Sequence, residues 1–345
     1  MSHTILLAAG GTGGHIIPSI AFGQWLKGHG ETPLWLTGSR PLEKVIFDAH
    51  GVEPQHLSLE GSPLGVSGIR SLKRWKELLS SVFEARRHLN RSHVDACVLF
   101  GGYLSLPVLL AARQLHIPTL MHEQNTVAGK VTRLAAKLHV PVACAWQECR
   151  GLDSERATFV GMPLRPVKLT DKKEAQLKLL GRELEAGQKL IVILGGSLGS
   201  GGMKNVLQKA QNMIESNKYK VLCMGIQEQD KPFPGALTHA ACWDMGEVYS
   251  AADVVICRAG ASTLAELKAL GIPAMIVPWL KSADQHQLSN AECFSRLTGD
   301  PVFLENASLE EFHEALASVV VHDADYEGLC AGAENLYKTL RGLIV

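Results

Sequence analysis

The stretch LLAAGGTGGHIIPSIAFGQWL, residues 6–26, reads as a strand, a glycine-rich loop and a helix. TILLAA (4–9) is apolar without polar alternation, as a parallel strand covered on both faces should be. Pro18 suits the first turn of the helix, where its missing N–H costs nothing. Ile17, Ile20, Ala21 and Trp25 supply an apolar helix face, and Gly28 to Gly30 end it. PLWLTG (33–38) is the next strand.

This unit recurs. LIVILGGSLGSGGMKNVLQKAQNMI, from Leu190, is again strand, glycine loop and helix. DACVLFGGYLSLPVLLAARQLHIPTLMHEQN, from Asp95, and DVVICRAGASTLAELKALGIPAMIVPW, from Asp253, also echo each other. Each runs strand, small-residue loop, helix, L-x-I-P, strand. The chain therefore predicts an α/β protein of two Rossmann-like parallel-sheet halves in tandem. The join falls in GMPLRPVKLTDKK (161–173), which is Pro-rich and then charged. The expected division is 1–163, 164–325, and a separate helix at 326–345.

Composition narrows the function. Lys plus Arg equals Asp plus Glu at 34 each, so no global field points to nucleic acid. The eight cysteines (Cys97, Cys144, Cys149, Cys223, Cys242, Cys257, Cys293, Cys330) form neither a CxxC pair nor a zinc spacing. They read as reduced thiols of a cytoplasmic protein. No leader pattern precedes the first strand. The longest uncharged run, Cys97 to Ala112, is broken by Gly101-Gly102 and Pro107 and is short of the roughly 20 residues a spanning helix needs.

A helix start offers unpaired N–H groups and about half a positive charge, and glycine lets backbone approach a phosphate. The three loops at Gly10–Gly14, Gly101–Gly102 and Gly195–Gly199 thus point to phosphate. A Walker loop is excluded, because GK[ST] follows neither Gly14 nor Gly199. A dinucleotide loop from Gly11 fails at its sixth position, Ile16, and the second strand ends without a ribose-binding acid. His15 is open to two readings. It is a polar residue satisfied at a helix mouth, or a general base suited to neutral pH.

Several motifs carry a resemblance. They are GGTGGH (10–15), GGYLSLP (101–107), HEQN (122–125), VGMPLR (160–165), GGSLG (195–199), CRAGASTLAE (257–266) and DQHQLSNA (284–291). From Ile5 to Asn306 the chain resembles, in order, the MurG family. These are the UDP-GlcNAc-dependent transferases that act on the undecaprenyl-diphosphate-linked muramoyl pentapeptide of peptidoglycan synthesis. HEQN together with the first loop is specific to that family; glycine loops alone are not.

The resemblance implies a GT-B fold of two Rossmann-like domains facing across a cleft. The lipid acceptor would sit on the N-terminal half and UDP-GlcNAc on the C-terminal half. The last helix would cross back to the first domain. Gly10, Gly11, Thr12, Gly13, Gly14, Gly101, Gly102 and Tyr103 would hold the acceptor diphosphate. Neither a metal nor a cofactor is implied. His15 would take the proton of the attacking hydroxyl, with Glu123 as a rival base, and UDP would leave in one inverting displacement. Arg165, the Ser197 loop and the helix start at Ala261, Ser262 and Thr263 would neutralise the leaving diphosphate. Glu266 would accept from the ribose hydroxyls; the alternative is a solvated helix glutamate. His286, Gln287 and Asn290 would meet the GlcNAc hydroxyls, and backbone from Cys242 to Met245 the uracil edge. The donor set also takes in Thr12, Gly13, Gly14, Asn125 and Arg258. Three positions depart from the family pattern: Met162 for Asn, Leu198 for Gln, and Ser262 for a bulkier residue.

The acceptor's polyprenyl tail implies contact with a bilayer. GIRSLKRWKELLSSVFEARRHLNRSH (68–93) sets Arg70, Lys73, Arg74, Lys76, Arg86, Arg87 and Arg91 against Glu77 and Glu84. Trp75, Leu78, Leu79, Val82 and Phe83 recur at helical spacing. The segment reads either as an ordinary amphipathic helix facing the core or as a membrane-docking helix. In the second reading Arg70, Lys73, Arg74, Trp75, Lys76, Leu79 and Phe83 touch an anionic lipid surface at the cytoplasmic face of the cell membrane. Proteins of cell-wall synthesis and division are the implied protein partners. The competing functions are another GT-B enzyme of UDP-GlcNAc, such as a 2-epimerase or a glycolipid glycosyltransferase, and a non-catalytic nucleotide-sugar-binding scaffold.

Overall fold

A computed structural model describes residues 2–59, 61, 69–195, 203–215 and 218–344. The chain divides into two compact units, Met1–Arg165 with Glu327–Val345, and Pro166–Tyr326.

The first unit alternates strands and helices: β1 (Thr4–Ala8), α1 (Gly13–Gly28), β2 (Thr32–Thr37), α2 (Pro41–Ala49), β3 (Gln55–His56) and α3 (Ile69–Arg91). There follow β4 (Ala96–Leu99), α4 (Ser105–Gln114), β5 (Thr119–Glu123), α5 (Lys130–Lys137), β6 (Val142–Cys144) and β7 (Ala157–Phe159). The sheet is parallel in the order β3-β2-β1-β4-β5-β6-β7. The second unit holds α6 (Lys172–Leu180), β8 (Lys189–Leu194), α7 (Lys204–Glu215), β9 (Tyr219–Met224), β10 (Leu237–His239) and α8 (Gly246–Ala251). It continues through β11 (Val254–Cys257), α9 (Ala261–Leu270), β12 (Ala274–Ile276), α10 (His286–Thr298) and α11 (Leu309–Ala317). Its parallel order, β10-β9-β8-β11-β12, repeats the first five positions of the other sheet. In both, the chain reverses its direction of build beside the first strand. That order switch leaves a crevice at the strands' carboxyl ends, where ligands bind in open α/β sheets.

Helix α1 differs from its expected form. It begins at Gly13, so Pro18 lies inside its second turn and withholds one backbone donor there. The buried residues include Ile16, Ile20, Ala21, Phe22 and Leu26, while Ile17 and Trp25 are half-buried. The cause is contact on more than one side. A Cβ at Gly23 would lie 2.1 Å from the Trp35 ring of β2, so the helix sits directly on the sheet. Trp25 stacks on His29 at 3.6 Å and meets Tyr337 at 5.3 Å.

Tyr337 belongs to α12 (Tyr326–Arg341), which packs in the first unit. Gly332 is essential to that docking: a Cβ there would lie 2.2 Å from the Met162 carbonyl oxygen. Asn335 donates to the Val160 carbonyl at 3.2 Å, and the Tyr337 hydroxyl donates to Glu31.

Helix α3 resolves into two faces. Leu78, Val82, Ala85 and Leu89 enter the core of the first unit. Trp75, Leu79 and Phe83, spaced i, i+4 and i+8, are 46%, 61% and 69% exposed. Lys76, Arg86, Arg87 and Arg91 are exposed, while Arg74 pairs with Glu77 at 2.9 Å. The side chains of Arg70 and Lys73 lie outside the described residues. No described helix is long and apolar enough to cross a membrane.

Candidate active site

At the switch point of the first sheet, the loop after β1 meets the loop after β4. Gly101 and Gly102 have φ of +83° and +74°, a region only glycine adopts readily. A Cβ on Gly102 would lie 2.8 Å from the Gly10 carbonyl oxygen, and one on Gly101 would lie 3.3 Å from His15 Nε2. His15 thus lies against the second glycine loop, with its Nδ1 3.4 Å from Thr12 Oγ1. No side chain caps α1 or α4. Helix starts carry backbone N–H groups that lack intrahelical acceptors.

The loops do not offer every expected donor. Gly11 (φ +94°) gives its N–H to Glu43 Oε1 at 2.6 Å, so that N–H is turned away from a diphosphate. Tyr103 is buried and donates its hydroxyl to the same Glu43 oxygen at 2.7 Å. Glu43 was not among the sequence candidates. It stands three residues after Arg40 and looks locally like a helix-capping glutamate; nothing near it in the sequence points to Gly11 or Tyr103.

HEQN closes β5. Glu123 is buried, and its oxygens accept from the Asn125 N–H (3.0 Å), Asn125 Nδ2 (3.1 Å), the Gly129 N–H (3.0 Å) and Thr132 Oγ1 (2.5 Å). A carboxylate has about four lone-pair sites, and all are occupied. Glu123 therefore braces the loop carrying Asn125 and is poorly placed to act as the rival base. His122 is fully buried between Gln124 Nε2 (2.9 Å) and the Gly161 carbonyl (3.1 Å).

In the second unit, α9 starts after β11 with Gly260 as its N-cap and no side chain capping it. Ala261 is buried; Ser262 and Thr263 are half-buried. Glu266 is 2% exposed, which removes the solvated-glutamate alternative. Tyr249 of α8 donates to its Oε2 at 2.7 Å. Tyr249 also escaped the sequence reading, because GEVYSA gives only the signature of a core aromatic. Asn290, expected at the sugar, is wholly buried and donates to the Ala259 carbonyl at 3.1 Å; it holds the loop before α9. Arg258, expected at the donor, pairs with Glu305 at 2.9 Å.

Gln287 accepts the Trp279 N–H at 2.9 Å, and His286 Nδ1 lies 2.7 Å from the Ala283 carbonyl. Just before them, Asp284 and Gln285 take left-handed φ of +51° and +53°. Such conformations cost on the order of 1–3 kcal/mol each and concentrate at ligand sites. Cys242 and Met245 flank Asp244, whose carbonyl accepts from Cys242 Sγ at 2.8 Å. Met162 packs its backbone against Gly332, so the position where an amide was expected is a docking point for α12. Arg165 is half-buried at the end of the first unit's long segment. Ser197 and Leu198 lie outside the described residues.

Two parallel sheets that share a five-strand order, each with a helix start or glycine loop at its switch point, give the GT-B fold. Residues 5–143 match the glycosyltransferase family 28 N-terminal domain, and residues 190–328 match the C-terminal domain. The N-acetylmuramyl-(pentapeptide) pyrophosphoryl-undecaprenol N-acetylglucosamine transferase of Bacillus licheniformis is 30% identical, over 98% of each chain. Its Pseudomonas fluorescens counterpart is 34% identical over 86% of this chain and 83% of its own. The crystal structure of Acinetobacter baumannii MurG superposes with a TM-score of 0.68 at 24% identity, over 99% of each chain. The chain belongs to the MurG family of glycosyltransferase family 28.

His122 gives a pH signature. Burial holds its imidazole down at about 4, against the opposing pull of the Gly161 hydrogen bond and the Glu123 charge; its ordinary value is 6.5. Between those values the unfolded chain binds a proton that the folded chain does not. Stability therefore falls as pH drops from 6.5 toward 4, by roughly 3 kcal/mol in full. His122→Gln should flatten this window in urea unfolding measured across that pH range. Equal slopes in wild type and variant would contradict the assignment.

Proposed function

We propose that the chain transfers GlcNAc from UDP-GlcNAc to the muramoyl sugar of undecaprenyl-diphosphate-linked MurNAc-pentapeptide, with inversion and release of UDP. The observation that carries this reading is the meeting of two glycine loops and His15 at the first sheet's switch point, in a chain whose relatives are named for that transfer. A diphosphate needs neutral donors that reach both phosphates, and the starts of α1 and α4 supply them without a metal. In this role Gly10, Thr12, Gly13, Gly14, Gly101 and Gly102 form the acceptor site, while the Tyr103 hydroxyl is turned to Glu43.

His15 takes the proton from the attacking hydroxyl as its oxygen bonds to the anomeric carbon. The carbon–oxygen bond to UDP breaks, and its electron pair leaves with the nucleotide. The four filled acceptor sites of Glu123 favour His15 for this step. On the second unit, the uncapped start of α9 with Ser262 and Thr263 meets the UDP phosphates. Glu266, oriented by Tyr249, accepts from ribose. Gln287 and His286 sit beside the strained turn that would face GlcNAc, and Cys242 to Met245 the uracil.

The lipid acceptor also explains α3. Trp75, Leu79 and Phe83 form an apolar stripe flanked by exposed basic residues. Each basic group near anionic lipid contributes about 1 kcal/mol. Such a surface suits peripheral attachment at the cytoplasmic face of the membrane, where a soluble nucleotide sugar and a lipid-linked acceptor can both be reached.

Incubation with UDP-GlcNAc and a short-chain lipid-linked muramoyl acceptor should yield UDP and a disaccharide-lipid. Free ManNAc would indicate an epimerase, and binding without turnover a scaffold. His15→Ala should lower kcat by about 10²-fold or more, with the UDP-GlcNAc KM within about threefold of wild type. Near-normal turnover would remove His15 from the base role.

Vesicles of anionic phospholipid should bind the wild type and release it as salt rises. Replacing Trp75, Leu79 and Phe83 by Ser, or Arg70, Lys73, Arg74 and Lys76 by Ser, should each weaken cosedimentation several-fold. Unchanged binding in both would exclude α3 as the docking element.

A further inference from the structure

Glu43 is wholly buried in the first turn of α2. Its Oε2 accepts the Arg40 N–H at 3.1 Å, which is an ordinary helix-capping contact. Its Oε1 does something else: it accepts both the Gly11 N–H (2.6 Å) and the Tyr103 hydroxyl (2.7 Å). One carboxylate thereby ties together the loops after β1, β2 and β4, and the loops after β1 and β4 are the two that flank the sheet's order switch.

The fit around it is tight. A Cβ on Gly10 would lie 2.9 Å from Glu43 Oε1. One on Gly38 would lie 2.0 Å from the Tyr103 hydroxyl and 2.8 Å from Glu43 Oε2. The Arg40 guanidinium lies 4.4 Å from the Tyr103 ring centre, a positive group on the same aromatic side chain that Glu43 holds. Burying a carboxylate is costly unless it is hydrogen-bonded, and a cap alone does not require burial. The oxygen that takes no part in the cap is the one that joins the two glycine loops.

We propose that Glu43 is a positioning residue for the acceptor. Its Oε1 latches the glycine loop after β1 to the loop after β4 and sets the spacing of the backbone donors that meet the two phosphates. By engaging the Gly11 N–H, it also directs the anion toward the start of α1. The proposal rests on the reading that these loops hold the acceptor diphosphate.

The test compares KM for a short-chain lipid-linked muramoyl acceptor with KM for UDP-GlcNAc, alongside urea unfolding. Glu43→Ala removes the latch and the cap. Glu43→Gln keeps a carbonyl oxygen at the Oε1 position, and so the latch, but sets an amide against the Arg40 N–H. Tyr103→Phe removes one hydroxyl and little packing, and carries the test if Glu43→Ala does not fold. Glu43→Ala and Tyr103→Phe should raise the acceptor KM by about tenfold while the UDP-GlcNAc KM stays within about twofold. Glu43→Gln should restore the acceptor KM to within about threefold of wild type despite its lower stability.

An unchanged acceptor KM in both Glu43→Ala and Tyr103→Phe would overturn the proposal. So would equal stability losses in Glu43→Gln and Glu43→Ala with no split between the two KM values, the behaviour of a helix cap. Gly102→Ala separates the latch from the site beneath it. If Gly102→Ala raises the acceptor KM and neither latch variant does, the loops bind the acceptor and Glu43 is not the latch. If Gly102→Ala leaves the acceptor KM unchanged, the loop assignment falls, and the proposal with it.

Discussion

The first unit's site depends on a close approach of two pieces of backbone. The Gly10 carbonyl oxygen and Gly102 are so near that any side chain on Gly102 would begin 2.8 Å from that oxygen. This contact brings the turn after β1 against the turn after β4. His15 is carried to the same place because it stands in the first turn of α1, and the N-terminal donors of α1 and α4 come with it. The sheet order makes this possible, since β1 and β4 are neighbours although three helices and two strands separate them in sequence. The glycines are therefore required twice, once for the left-handed turn and once for the lack of a Cβ.

The fold was legible because it is written twice. Leu190 and Asp253 begin stretches that echo Leu6 and Asp95, and a repeated strand–loop–helix pattern with covered apolar strands leaves few topologies open. The two faces of α3 were legible only as a set of apolar residues at helical spacing. Which of them faced the core required the sheet: Leu78 and Val82 point in, while Leu79 and Phe83 remain outside. Periodicity cannot separate those pairs, because adjacent residues in a wide apolar stripe differ by only about 100° around the helix.

The candidate site was legible where a motif is local and obscure where a partner is distant. GGTGGH and GGYLSLP stand out as runs, yet the group that ties them together lies on α2. Its only local signal is the spacing of a capping box. Glu123 invited a catalytic reading because it sits in HEQN. Its four hydrogen bonds come from residues two to nine positions onward, a loop whose shape no residue pattern announces. Met162 appeared to lose an amide contact. Against Gly332 its backbone has a second task, which only the path of α12 reveals.

The central claim is that the first glycine loop serves the acceptor's diphosphate and that the nucleotide belongs to the start of α9. Hydrogen exchange of backbone amides tests it most directly, with UDP and a short-chain lipid-linked muramoyl acceptor added separately. The acceptor alone should slow exchange at Gly13–His15 and Gly101–Tyr103, and UDP alone at residues 261–266. Protection of Gly13–His15 by UDP, with none from the acceptor, would contradict it.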